Sequence, residues 1–193
     1  MLKRILCGAV LLTLSVVNAG AQGVFIGPAA GYQQANDADN GNFMGGAALR
    51  AKFSPAFGGE ASIYYRQEDF ADGKVTLRNW PVMATALFYP FPFVYGAVGG
   101  GWFHTTFDYS KELNSSLGIK DETMSEFGWH FGGGVEFAFN TMVLTGDIRY
   151  VFLNYNFKNL PGRDIDSNFY MVTLGVLFNL SGTGYFDMNA YMQ

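Results

Sequence analysis

Cysteine is nearly missing from this sequence. The single Cys7 lies in the N-terminal apolar run, so a chain shorn of that run has no thiol. Disulfides, cysteine-ligated metals and a cysteine nucleophile are thereby excluded. Cys7 stands near the start of the apolar run, where an acylated lipoprotein cysteine would follow it. Charge is scarce as well: Asp, Glu, Lys and Arg make up 15% of 193 residues, below the roughly one-quarter usual in soluble domains. Twelve basic against sixteen acidic residues give a net charge of −4, the wrong sign for a nucleic-acid partner. Beyond the N-terminus no stretch of about 18 consecutive apolar residues occurs, so the rest of the chain has no helical membrane span. A chain this long is expected to form one domain.

Aromatics and glycines are abundant. Aromatics reach 17% and glycines number 25, a pairing that suits strands that face lipid and must also bend. The N-terminus has its own logic. Lys3 and Arg4 precede an apolar core from Ile5 to Val17, and Ala19-Gly20-Ala21 supplies small residues at signal-peptidase spacing. Residues 1–21 are therefore expected to be a cleaved secretory signal peptide, too short for the roughly 20 apolar residues of a transmembrane helix. Its removal leaves ten basic and sixteen acidic residues.

Period-two alternation recurs along the remaining chain. From Phe127 to Phe139 the odd positions are Phe, Trp, Phe, Gly, Val, Phe, Phe, while the even ones include Gly128, His130, Glu136 and Ala138. From Met142, Leu144, Ile148, Tyr150 and Phe152 oppose Thr145, Asp147 and Arg149. Phe43, Ala47, Leu49 and Phe53 oppose Met44, Arg50 and Lys52, and Ala61, Ile63 and Tyr65 oppose Glu60, Ser62 and Arg66. Between Tyr95 and Tyr109, the set Tyr95, Ala97, Phe103 and Phe107 reads as the apolar face against Trp102, His104 and Asp108. Between Phe169 and Leu180, Tyr170, Val172, Leu174, Val176 and Phe178 oppose Thr173, Gly175 and Asn179. Gly23–Gln34 and Val75–Tyr89 complete eight strands. In the latter, Trp80, Val82, Ala84, Ala86 and Phe88 share a face whose direction Pro81 leaves open. Most runs exceed the five or six residues of globular strands and suit tilted membrane crossings of about nine to eleven.

Connections alternate in length. Long ones fall at 35–42, 67–74, 110–126 and 154–168, short ones at 54–57, 90–92 and 140–141. Short turns on one side and long polar loops on the other describe an outer-membrane barrel. With eight strands, both chain ends lie on the short-turn, periplasmic side. The expected fold is all-β: an eight-stranded antiparallel up-and-down transmembrane β-barrel over residues 22–180, followed by a periplasmic tail at 181–193. The loop 36–42 has a faint calcium-loop look, but turn chemistry explains it better.

On these residues the chain resembles the small bacterial outer-membrane β-barrel proteins typified by the barrel domain of outer membrane protein A. The strand pattern carries the resemblance, together with Gly-Gly-Gly-Val-Glu-Phe at 132–137, Asp147-Ile148-Arg149-Tyr150 and the last stretch, Thr173 to Leu180. That last stretch is similar to the family's assembly signal, with Thr173, Gly175, Phe178 and Leu180 in the polar, glycine, aromatic and hydrophobic places. The resemblance implies outer-membrane lipids as surroundings and the barrel-assembly machinery as a partner. The sequence departs from the family in running on past Leu180, through Tyr185, Phe186, Met188, Tyr191 and Met192.

An eight-stranded barrel is just wide enough to be filled by side chains, so inward charges must pair. The expected inward set is Arg50, Lys52, Arg66 and Arg149 against Glu60, Asp108, Glu136 and Asp147. Arg50 with Glu60 and Glu136 with Arg149 flank short turns and are the natural pairs. His104 and His130 are read as inward and at similar depth, with no convincing third metal ligand. Gly99–Gly101 and Gly132–Gly134 are read as matched bends. No catalytic residue, cofactor or metal is assigned. The leading role is structural, or binding through loops, with 110–126 as the candidate contact for a surface ligand. Against it stand a lipid-modifying enzyme, which inward histidines disfavour, a small pore, which a filled lumen disfavours, and a soluble lipocalin-like binder, which would bury the aromatic face. Gel mobility separates the last: a membrane barrel shifts its band on boiling, whereas recovery as a soluble periplasmic protein without a shift would reverse the inside-out assignment.

Overall fold

The computed structural model describes residues 23–35, 41–70, 75–109, 122–139, 141–155, 165–166 and 168–180. The expected signal peptide, the tail 181–193 and most of the long connections lie outside them. Alternation fixes the architecture: a strand with one apolar face needs a second surface to cover it, and here eight strands roll up so that lipid can do so. They are β1 (Gly23–Ala35), β2 (Asn42–Lys52), β3 (Phe57–Phe70), β4 (Val75–Phe91), β5 (Val94–Tyr109), β6 (Glu122–Phe139), β7 (Met142–Phe152) and β10 (Phe169–Asn179). Two short strands, β8 (Asn154–Tyr155) and β9 (Ile165–Asp166), pair as a separate ribbon within the 154–168 connection. The ring runs β1-β10-β7-β6-β5-β4-β3-β2 and closes on itself. Every ladder is antiparallel, including the β1–β10 seam, where Phe25 lies opposite Asn179 and Ala35 opposite Phe169. This is the eight-stranded antiparallel barrel that the alternation predicts.

Most faces fall as read. Phe43, Ile63, Trp129, Phe131, Ile148, Tyr170 and Leu174 are exposed on the outer wall, while Arg50, Glu60, Glu136, Asp147 and Arg149 are buried within. The open question at β4 resolves the same way, with Trp80, Val82 and Phe88 outward and Met83, Leu87 and Tyr89 inward.

β5 is the correction. Tyr95 and Phe103 are 1% exposed and point inward, whereas Trp102 is 55% exposed on the outer wall. His104 and Asp108 share its side, so neither is a lumen residue. The reason is physical. Both faces of β5 carry aromatics and its middle is Gly99–Gly101, so side chains alone do not mark the apolar face. The neighbours decide: Trp102 packs edge-on against Phe127, centroids 5.2 Å apart, and Phe103 meets Phe169 inside the barrel at 5.7 Å. The two glycine triplets are not at one depth either. Gly100 faces Trp129 and Gly133 faces Gly96 across the β5–β6 ladder.

Strands outlast their apolar faces. β3 reaches Phe70 and β6 begins at Glu122, so part of the expected 67–74 and 110–126 loops is ladder. Glu122 to Glu126 pair with Phe107 to Phe103, but Met124 is the one apolar residue among those five and alternation gives no signal. Prolines interrupt two seams. The β3–β4 ladder breaks between Ile63–Val82 and Arg66–Asn79, around Pro81, and the β1–β10 ladder breaks between Ile26–Phe178 and Ala29–Gly175, around Pro28. A residue without an N–H cannot donate to its neighbour strand.

Gly132 is a true close approach: a Cβ there would lie 2.0 Å from the Ile148 carbonyl oxygen, whereas a Cβ on Gly45 would meet nothing within 4 Å. Gly132→Val is therefore expected to cost about 3 kcal/mol or more, through overpacking. Gly45→Ala should stay within about 0.5 kcal/mol of the parent. Urea unfolding in lipid vesicles, read by the heat-modifiable band, compares the two.

Candidate functional site

The lumen is the most organised polar site of the barrel. Seven of the eight strands supply polar groups to it: Arg50 and Lys52 on β2, Glu60 on β3, Thr85 and Tyr89 on β4, Tyr95 on β5, His130 and Glu136 on β6, Asp147 and Arg149 on β7, and Thr173 on β10. β1 instead sets Phe25 against Ala48, Val143 and Leu177.

Arg50 is the hub. Its Nε donates to Glu60 Oε2 at 3.0 Å, and its Nη1 donates to Glu136 Oε2 at 2.7 Å. Its Nη2 reaches the Tyr95 hydroxyl at 3.2 Å, and its guanidinium carbon lies 4.6 Å from the centre of that ring. Lys52 Nζ takes the other Glu136 oxygen at 2.6 Å and lies over the Tyr89 ring at 4.2 Å. Arg149 forms the second node. Its Nη2 donates to Glu60 Oε1 at 2.7 Å and to Asp147 Oδ2 at 2.9 Å, and its Nη1 to Thr85 Oγ1 at 3.1 Å. Tyr95 and Thr173 each donate to Asp147 at 2.9 Å, and Tyr89 donates to Glu136 at 2.9 Å. Three cations thus balance three carboxylates, and tyrosine and threonine hydroxyls take up further carboxylate lone pairs, the condition under which buried ions are tolerated.

Of the expected inward charges, Asp108 is outside, paired with Arg78 at 2.5 Å, and Arg66 lies apart from the network, 3.9 Å from Glu68. Of the expected pairs, Arg50–Glu60 forms across one ladder step. Glu136 does not meet Arg149. Register sets Glu136 opposite Thr145 and Arg149 opposite Gly132, about 13 Å apart along the strand at 3.3 Å per residue. Each finds its partner across the lumen instead: β6 faces β2, and β7 faces β3. The tyrosines escaped the sequence reading, although a signal exists. Among Phe88, Tyr89, Phe91, Phe93 and Tyr95, the two with hydroxyls are the two that turn inward.

Above the network, toward the long connections, Met44, Tyr64, Met83, Phe103, Val151, Leu153, Phe169 and Met171 form one buried apolar cluster. The lumen is therefore stoppered by an apolar layer resting on an ionic one. His130 lies in the network with Nε2 2.9 Å from Thr85 Oγ1. It does not meet His104, which sits opposite Trp80 and Ser125 on the outer wall. Among the described residues no three His, Cys, Asp or Glu side chains gather as a metal site. In the last strand, Thr173 and Gly175 face inward, whereas Phe178 and Leu180 are exposed on the lipid-facing wall.

Removing one carboxylate from this set leaves three buried cations facing two carboxylates, at about 3–5 kcal/mol. Glu60→Gln, which takes one of two carboxylate partners from both Arg50 and Arg149, is expected to lose that much in urea unfolding. Lys52→Met, at the network's edge, should lose clearly less, and an equal loss would mean that the ions act independently.

Comparison with known proteins agrees with this geometry. A search of curated proteins finds no match. Among solved structures, neisserial surface protein A superposes with a TM-score of 0.60 at 13% identity, covering 83% of this chain and 99% of its own. The attachment invasion locus protein Ail of Yersinia pestis, solved with the heparin analogue sucrose octasulfate, gives 0.52 at 17% identity over 82% of this chain and 97% of Ail. The outer membrane protein OprG of Pseudomonas aeruginosa gives 0.50 at 16% over 83% and 98%. At such identities these likenesses speak for the fold. Residues 5–179 match the family described as the outer membrane protein beta-barrel domain, and the chain belongs to that family of outer-membrane barrels.

Proposed function

We propose that this chain is a non-enzymatic outer-membrane barrel that acts as envelope structure and as a scaffold for surface binding. The stoppered lumen carries this reading: an apolar layer over a neutral ion network offers solutes no polar path and leaves the connections as the surface open to a partner. Residues 1–21 serve as the export signal and are removed, 22–180 form the barrel domain, and 181–193 extend into the periplasm. Thr173, Gly175, Phe178 and Leu180 present the last strand to the barrel-assembly machinery. The polar connection within 110–126 is the contact for a surface ligand, and the sulfated sugar held by Ail indicates one chemical class to try.

A second reading gains from one observation. His104 stands on the lipid-facing wall opposite Ser125, where a lipid-cleaving pair would need to be. Its weakness is the acid, since Asp108 is engaged by Arg78. Two measurements separate the readings. Cells displaying the chain should bind immobilised sulfated glycans, and replacing 112–120 by Gly-Ser should abolish binding while keeping the heat-shifted band. Planar bilayers should stay silent and the lipid A mass profile unchanged. Steady conductance or deacylated lipid A would reject the proposal in favour of a pore or an enzyme.

A further inference from the structure

The wall is taller on one side. β4, β5 and β6 run 17, 16 and 18 residues, against 11 for β2, β7 and β10. The excess lies at the long-connection end. β7 stops at Phe152, opposite Trp129, while β6 runs seven residues further, to Glu122. At that level the outer wall carries an aromatic girdle: Trp80 packs at a tilt against Tyr65, centroids 4.4 Å apart, and Phe127 joins Trp102 and Trp129 at 5.2 and 5.1 Å. Tryptophan and tyrosine collect where hydrocarbon meets headgroup. One side-chain step beyond Trp80, the outward row across four strands is Gln67, Arg78, Thr106 and Thr123, in register. Two residues of strand amount to roughly 6.6 Å, about the thickness of the headgroup layer on each side of the hydrocarbon core. Strands of such barrels tilt by roughly 35–45°, so the row is slanted: Gln67 and Arg78 stand among headgroups, and Thr106 and Thr123, two steps beyond Trp102 and Phe127, stand higher, on a surface continuous with the lipid-facing belt.

Its chemistry is not that of a generic rim. Thr106 and Thr123 hydroxyls lie 3.0 Å apart, the Tyr65 hydroxyl donates to Gln67 at 2.7 Å, and His104 and Ser125, in register with Trp80, fill the step between the threonines and the rings of Trp102 and Phe127. Arg78 is the one cation in the row. Its side chain is 46% exposed, and Asp108 holds one end of its guanidinium, leaving the rest of a planar fork suited to phosphate oxygens. Hydroxyl and amide side chains beside exposed aromatic rings, with one oriented guanidinium, suit a sugar that carries phosphate. With the long connections extracellular, as in outer-membrane barrels, the leaflet at this level is the outer one. We propose that the outer face of β3–β6 beyond the girdle binds the phosphorylated sugar headgroup of an outer-leaflet glycolipid.

The test uses the full barrel in phosphatidylcholine nanodiscs doped equally with lipid A and phosphatidylglycerol, with retained lipids counted by native mass spectrometry and folding checked by the heat-shifted band. The parent should retain lipid A in preference to phosphatidylglycerol. Arg78→Ala should cut lipid A retention at least fivefold. Thr106→Val with Thr123→Val, which keeps strand propensity and shape, should cut it about threefold, and Asp108→Asn should raise it by freeing Arg78. Equal retention of both lipids by the parent would reduce the surface to an ordinary lipid belt and overturn the proposal. So would lipid A retention indifferent to Arg78 and to the threonines.

Discussion

The guanidinium of Arg50 bridges Glu60 on the adjoining strand and Glu136 on the opposite one. Much of the interior follows from the need to keep that charge paired. Glu60 is shared with Arg149, Arg149 with Asp147, and Glu136 with Lys52, so no single pair can be lost without exposing a second ion to a dry environment. A bundle of independent pairs would tolerate stepwise loss. A shared set forces the walls to keep one spacing and one stagger, and so contributes specificity as well as energy.

The barrel reverses the ordinary arrangement of apolar and polar residues, and glycine makes the reversal sterically possible. Two arginines that are 1% exposed need interior volume, and β5 and β6 provide it by carrying glycine at Gly99, Gly101, Gly132 and Gly134 on their inner face. Outside, the large rings that a soluble core would contain are turned to lipid. The apolar cluster above the ions shows that the interior is not uniformly polar. It sets methionines, whose flexible side chains adapt to irregular gaps, among rigid rings where the barrel must be sealed.

Much of this was legible in the sequence because alternation at period two is a direct image of a wall with two solvents. Strand count, order and most faces followed from it, and so did the Arg50–Glu60 pair, whose members flank a short turn. Legibility failed where the image blurs. In β5 aromatics occupy both faces around Gly99–Gly101, and alternation alone puts His104 and Asp108 on the wrong side. In β6 the polar Glu122–Glu126 extension carries no contrast. Partners across the lumen, such as Arg50 with Glu136, depend on ring position and stagger, which no local pattern encodes.

The seam between β1 and β10 has a consequence for how the molecule is made. The first strand's free edge finds its mate only when the last strand has been delivered, and Arg50 waits for a carboxylate 86 residues downstream. Only sequence neighbours such as Arg50 and Glu60 can pair while the chain is partly emerged, and the cross-lumen bonds to Glu136 form late, so the nascent protein carries incompletely compensated ions and an open hydrogen-bonding edge together. High contact order makes such closure slow, and an unpaired edge invites other chains. A barrel wired in this way is suited to being held open by something else until its final segment arrives, and then to closing in one step.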